Sequence, residues 1–163
     1  MRKILILALP LVLLVAGCAH QISQKSLELA DRTITFSKLR ENPDAYRGKF
    51  VVLGGVIAAV KDVQEGTQIE VVQHDLDSRE MPDAASVSGG RFLAITPDFL
   101  PVATCRPGAN VTMAGEVAGR KTQPLKGVEY TYPVIVIKEV HFNSDFDRVP
   151  DENSLGPWKP YGP

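Results

Sequence analysis

Cysteine is nearly absent from this 163-residue chain, which holds only Cys18 and Cys105. If Cys18 is consumed in processing, Cys105 has no intramolecular partner and a disulfide framework is excluded. Aromatic residues are also scarce, at 7% with a single tryptophan, so no broad stacking platform for bases or sugars is advertised. Neither sign of charge dominates, with 18 Lys and Arg against 19 Asp and Glu. The basic footprint of a nucleic-acid binder is therefore missing. The three histidines, His20, His74 and His141, stand at no metal-ligand spacing. No serine sits in a Gly-x-Ser-x-Gly elbow. No metal, no cofactor, no nucleic-acid partner and no catalytic constellation are expected. The apolar run Ile4 to Val15 is 12 residues long with Pro10 in its middle, too short for the ~20 residues of a spanning helix.

What that run does offer is a targeting signal. Arg2 and Lys3 precede it, and small Ala16 and Gly17 close it before Cys18, the arrangement of a cleavable secretory signal. The quartet Val15-Ala16-Gly17-Cys18 resembles a bacterial lipobox. The resemblance implies cleavage between Gly17 and Cys18, a diacylglyceryl group on the Cys18 thiol, and acylation of the new amino terminus. Two or more acyl chains give a stable anchor without help from protein contacts. Ala19 stands where an aspartate would retain the protein at the inner membrane, which by the same resemblance directs it to the outer membrane. The implied partners are the membrane itself and the lipoprotein-processing and sorting machinery.

Loss of residues 1–17 takes the net charge from −1 to −3 and leaves one domain's length of chain. Residues 18–35 read as a lipidated amino terminus and polar tether, in which Ile22, Leu27 and Leu29 leave room for a short helix. The domain is expected over 36–142. Ser37 is placed to cap a short helix ending at Glu41, before Asn42-Pro43. Lys49 to Val60 is apolar on both alternating faces, as in a strand curling between two halves of a barrel, with Gly54-Gly55 as the bend or bulge. Further strands are expected at Thr67 to Gln73, Arg91 to Thr96, Asn110 to Ala118 and Val128 to Val140. Asp75 to Gly89 reads as a long loop and Gly119 to Gly127 as a turn. Pro133 interrupts the last strand, at an edge or bulge. With 13 glycines and 12 prolines, the chain reads as mainly all-β: a small five- to six-stranded β-barrel with one short helix, of the oligonucleotide/oligosaccharide-binding (OB) kind. Residues 143–163 form a Pro-rich tail.

Asn42-Pro43, Tyr46-Arg47-Gly48-Lys49, Leu53-Gly54-Gly55-Val56-Ile57, Gly89-Gly90-Arg91-Phe92, Val111-Thr112 before Gly115, and Tyr130-Thr131-Tyr132-Pro133-Val134 follow the lipobox in order. Together they resemble the Slp family of bacterial outer-membrane lipoproteins. At Gly108 the pattern departs, since Ala109-Asn110 follow instead of a basic residue. The resemblance implies an envelope location and a link to starvation and acid stress. It implies no reaction and no catalytic residue.

The residues that remain for binding are few. Arg91, opening a strand after two glycines, is placed either to fork onto a carboxylate or phosphate ligand or to pair with a nearby acidic side chain. Tyr130 and Tyr132 share a strand face and serve either as core or, if exposed, as a surface for a sugar or peptide. Trp158 and Tyr161 in the tail would dock on the domain, the membrane interface or an envelope protein or glycan partner. His74 with Asp75 and Asp77 is the one acid–base cluster, and Asp beside His at a strand end is more often a turn than a dyad. Cys105 sits beside Arg106 with no histidine near in sequence and reads as an inert thiol.

Overall fold

β1 (Phe50–Val63) is the strand on which the barrel closes. In this computed structural model, which describes residues 21–143 apart from 65, 84 and 102, Gly54 to Val56 pair with β2 (Gly66–His74) on one side and β4 (Asn110–Leu125) on the other. β3 (Gly90–Thr96) and β5 (Val128–Asn143) complete a closed five-stranded ring in the order β1-β2-β3-β5-β4. All neighbours are antiparallel except β3 and β5, which join through three parallel pairs from Leu93↔Val134 to Ile95↔Val136. The result is the expected OB-like barrel. The signal at 1–17, Cys18, and tail residues 144–163 with Trp158 and Tyr161 lie outside the described residues.

Alternation fills the barrel. Ile69 and Val71 of β2, Phe92 and Ala94 of β3, and Val111 and Met113 of β4 point inward and are fully buried. Each large side chain so buried contributes about 1.5–3 kcal/mol. The helix that closes one end, α2 (Phe36–Glu41), sends Phe36 onto Phe92, with ring centroids 6.0 Å apart. It starts one residue earlier than expected, because Thr35 and not Ser37 caps it through the Lys38 N–H. Pro43 stops it as expected and opens a 3-10 turn to Tyr46. The 97–109 connection brings Leu100, Cys105 and Ala109 into the core at the opposite end.

Four local readings are corrected. The short helix left open in sequence forms: among the described residues α1 (Gln24–Leu29) precedes α2, within the stretch assigned to the tether. Ile22, just ahead of the helix, and Leu27 within it pack with Ala114, Phe50 and Val52 on the outer face of β1 and β4, so the folded unit begins near Ile22 and not at Phe36. Second, the β1 register shift falls between Ile57 and Ala59, past the glycine pair. Gly55 is small for another reason: a Cβ there would lie 1.9 Å from the Val72 carbonyl oxygen.

Third, Gly119 to Leu125 is strand, not turn, and only Lys126-Gly127 reverses the chain, both at positive φ. The β4–β5 hairpin is therefore a long arm reaching beyond the barrel. Fourth, Pro133 lies within an unbroken β5. It sits opposite Arg120, beside the shift between Val117 and Gly119 and just ahead of the β3 pairing, where a strand can lack a donor. At the arm's base Gly119 has φ +110°, and a Cβ there would meet the Arg47 guanidinium. Arg47 and Arg120 both reach Asp44, at 2.7 and 3.0 Å, and Arg47 also donates to the Ala118 carbonyl.

Candidate functional site

Two features stand out from the barrel surface. The first is the clasp that holds α1. Glu139, on the outer face of β5, accepts hydrogen bonds from the Ser23 N–H at 2.7 Å, from Ser23 Oγ at 2.7 Å and from Ser26 Oγ at 2.5 Å. Partial burial raises the Glu139 carboxyl, and the bonds from Ser26 and Ser23 outweigh it, leaving the group below its ordinary value. A carboxylate at the first turn of α1 also suits the positive end of the helix.

The second is a cleft of about 390 Å³ on the outer face of β2 and β3. Two hairpins flank it: Val63 and Gln64 from the β1–β2 turn on one side, Lys121 from the β4–β5 arm on the other. Its floor is Leu93 and Ile95 of β3 with Val134 and Val136 of β5, and Gln68, Thr67, Thr96 and Pro97 complete it. The Lys121 ammonium donates to Gln68 Oε1 at 2.8 Å and makes no ion pair among the described residues. The polar floor is committed elsewhere: Thr67 Oγ1 accepts from Leu100 N–H and Thr96 Oγ1 from Asp98 N–H.

Arg91, Tyr130 and Tyr132 gather beside this cleft without lining it. Arg91 Nη1 meets Glu70 Oε1 at 2.8 Å, and Tyr132 Oη donates to the same oxygen at 3.2 Å. Tyr132 is fully buried, with Leu93 and Val134, in a small cluster outside the barrel. Burial, then the nearby Glu70 charge, raises its phenol. Tyr130 stands edge-on to Tyr132 at 4.5 Å and accepts the Arg91 N–H. Arg91 has an acidic partner, Tyr132 is buried as core and Tyr130 bonds the β3 backbone, so the three join the arm to β2 and β3. Lys121 went unmarked because its arm was read as a turn, and Gln68 because β2 was read from its apolar residues alone. The alternation of Lys121, Gln123 and Leu125 was the available signal.

The remaining candidates have partners within the fold. His74 Nδ1 faces Ser86, 3.1 Å from its carbonyl and 3.3 Å from its hydroxyl, while Asp77 accepts the Arg79 and Met81 N–H groups. Those two backbone bonds, Met81 first, hold the Asp77 carboxyl low and organise the loop. Cys105 is buried, and burial, then Asp62, raises its thiol, which suppresses thiolate chemistry. No group of three or more His, Cys, Asp or Glu among the described residues could hold a metal ion, and no helix among them is long and apolar enough to cross a membrane.

A family profile described as outer membrane lipoprotein Slp matches residues 15–163. A search of curated proteins returned no match. Among solved structures, similarity is found to the mitochondrial single-stranded DNA-binding protein Rim1 of S. cerevisiae, at 13% identity and TM-score 0.38, over 58% of this chain and 94% of that one. A small single-stranded DNA-binding protein from Streptomyces coelicolor gives 12% and 0.35 over 60% and 95%. The Plasmodium falciparum protein in complex with single-stranded DNA gives 13% and 0.35 over 58% and 93%. Likeness of this degree has no bearing on what the present chain binds.

Proposed function

The chain belongs to the outer membrane lipoprotein Slp family, and from that premise we propose that acyl groups on Cys18 hold it at the outer membrane after removal of residues 1–17. There it serves as a non-enzymatic structural or binding module of the envelope under starvation or acid stress. What supports the lipid-anchored reading is the family match, which takes in Cys18, and the closeness of Cys18 to the first buried side chain says how such an anchor would hold the barrel. Ile22 is fully buried against the barrel, and the four residue steps from Cys18 to Ile22 span at most about 14 Å. The headgroup layer is roughly 5–8 Å deep on each side of the bilayer. A barrel on so short a leash rests near the headgroups and does not swing freely, which suits a protein that organises or contacts its own membrane.

The test is intact mass and membrane fractionation of the native protein beside Cys18→Ala. Cleavage before Cys18 with added acyl mass, and release of only the variant from the outer-membrane fraction, is the expected result. A native protein without acyl groups in the soluble fraction would refute the anchor.

A second reading, a lipid-anchored module that binds a ligand, draws on the cleft between the two hairpins. Its volume lies at the low end of small-ligand sites.

A further inference from the structure

Resting on the ligand-binding reading of the cleft between the β1–β2 turn and the β4–β5 arm, we propose that its ligand is a single-chain anionic amphiphile, a free long-chain carboxylate, with the chain on the aliphatic floor and the head at Lys121.

The lining selects this chemistry. Leu93, Ile95, Val134 and Val136 present aliphatic surface, and no aromatic ring lines the cleft. Bases and sugar rings are gripped by stacking on aromatic faces, and the rings nearest by, Tyr130 and Tyr132, are engaged with Arg91 and Glu70. A polyanion needs a row of cations, and among the described lining residues this cleft has one. Lys121 is held at the rim by Gln68, with an ammonium able to donate further and no ion pair among the described residues. One cation at the mouth of an apolar slot matches one anionic head. The volume of about 390 Å³ lies at the low end of small-ligand sites, which suits a single alkyl chain better than the two of a bilayer phospholipid.

The experiment titrates the mature full-length chain, carrying Cys18→Ala, with dodecanoate, with dodecyltrimethylammonium, with a chitin tetrasaccharide, and with phosphatidylglycerol vesicles, following backbone amide shifts. Saturable one-to-one dodecanoate binding is expected, with shifts at Leu93, Ile95 and Val136. Lys121→Gln should weaken it about five- to tenfold, as loss of a partly exposed charge contact of about 1 kcal/mol implies. Val136→Asp, at a half-exposed floor position, should abolish it while leaving the remaining barrel amides in place. Equal binding of the cationic analogue, or indifference to both substitutions, overturns the proposal. Tetrasaccharide shifts at the cleft without dodecanoate shifts overturn it while leaving the ligand-binding reading standing. Shifts with vesicles alone assign the cleft to bilayer lipid and also overturn it. No binding of any probe removes both.

Discussion

Replacing Glu139 by glutamine keeps the shape of the α1 clasp and removes its charge. The carboxylate takes three short hydrogen bonds from Ser23 and Ser26, and a hydrogen bond to a charged acceptor is worth about 1.5–3 kcal/mol where water is excluded. Glu139 is only half-buried, so screening reduces the share lost with the charge to about 1 kcal/mol. The sign follows from the carboxyl being held below its ordinary value in the folded state. Its stabilisation is complete above the ordinary pKa of about 4.3 and is lost as pH falls through the lower, folded value. Amide exchange reads this locally, at Leu27 and Ala30, whose N–H groups bond to the Ser23 and Ser26 carbonyls. After correction for intrinsic exchange, native protection of these two amides should hold from pH 7 to 5 and decline towards pH 3. Glu139→Gln should begin about fivefold less protected at pH 6 and change little below it. Equal protection at pH 6, or a parallel decline in both proteins, would refute the clasp. Release at low pH would lengthen the leash from about four residues to the whole of 18–30.

Other expectations concern the arm and the core. Gly119→Ala puts a side chain at φ +110° and should lower stability by about 1–3 kcal/mol, read as a fall in urea midpoint with unchanged slope; an unshifted midpoint contradicts the assigned backbone. Arg91→Ala leaves the Glu70 carboxylate unpaired and should cost about 1–3 kcal/mol, while adding Glu70→Gln should recover about 1 kcal/mol. A double-mutant cycle with no coupling counts against the pair. Cys105, buried and with a raised thiol, should react with a disulfide reagent at pH 8 only as fast as the barrel opens. Complete labelling within seconds would place it on the surface.

Strand periodicity was legible wherever one face is buried. Ile69 and Val71, or Val111 and Met113, share an inward face; β2 ends within one residue of expectation at both ends, and β4 starts at Asn110 as expected but runs on to Leu125. Legibility failed where a strand leaves the barrel. Arg120 to Gln123 carry polar side chains because the arm is largely solvated, so hydrophobic alternation had nothing to report, and Gly119 looked like a turn when it follows a bulge at Ala118. Residues 22–29 were missed as folded because their two anchors, Ile22 and Leu27, contact the outside of the barrel through a pairing far away in sequence. The clasp was invisible for the same reason: nothing local links Ser23 to Glu139. Arg91 and the tyrosines were found as residues, while their partner Glu70, on another strand, emerged only from the register of β2 against β3.

The three-pair seam between β3 and β5 sets an order of events. The β1–β2 and β4–β5 hairpins are joined by short turns, and each can zip from its own reversal with little loss of chain entropy. The seam cannot, since Leu93 and Val134 meet only after the intervening chain has been arranged, and its three pairs hold it less firmly than the seven of the other long-range pairing, β1 with β4. The ring is thus expected to close last at its narrowest joint. Newly exported chains would pass through an open sheet whose unpaired β3 and β5 flanks need shielding until that joint is made.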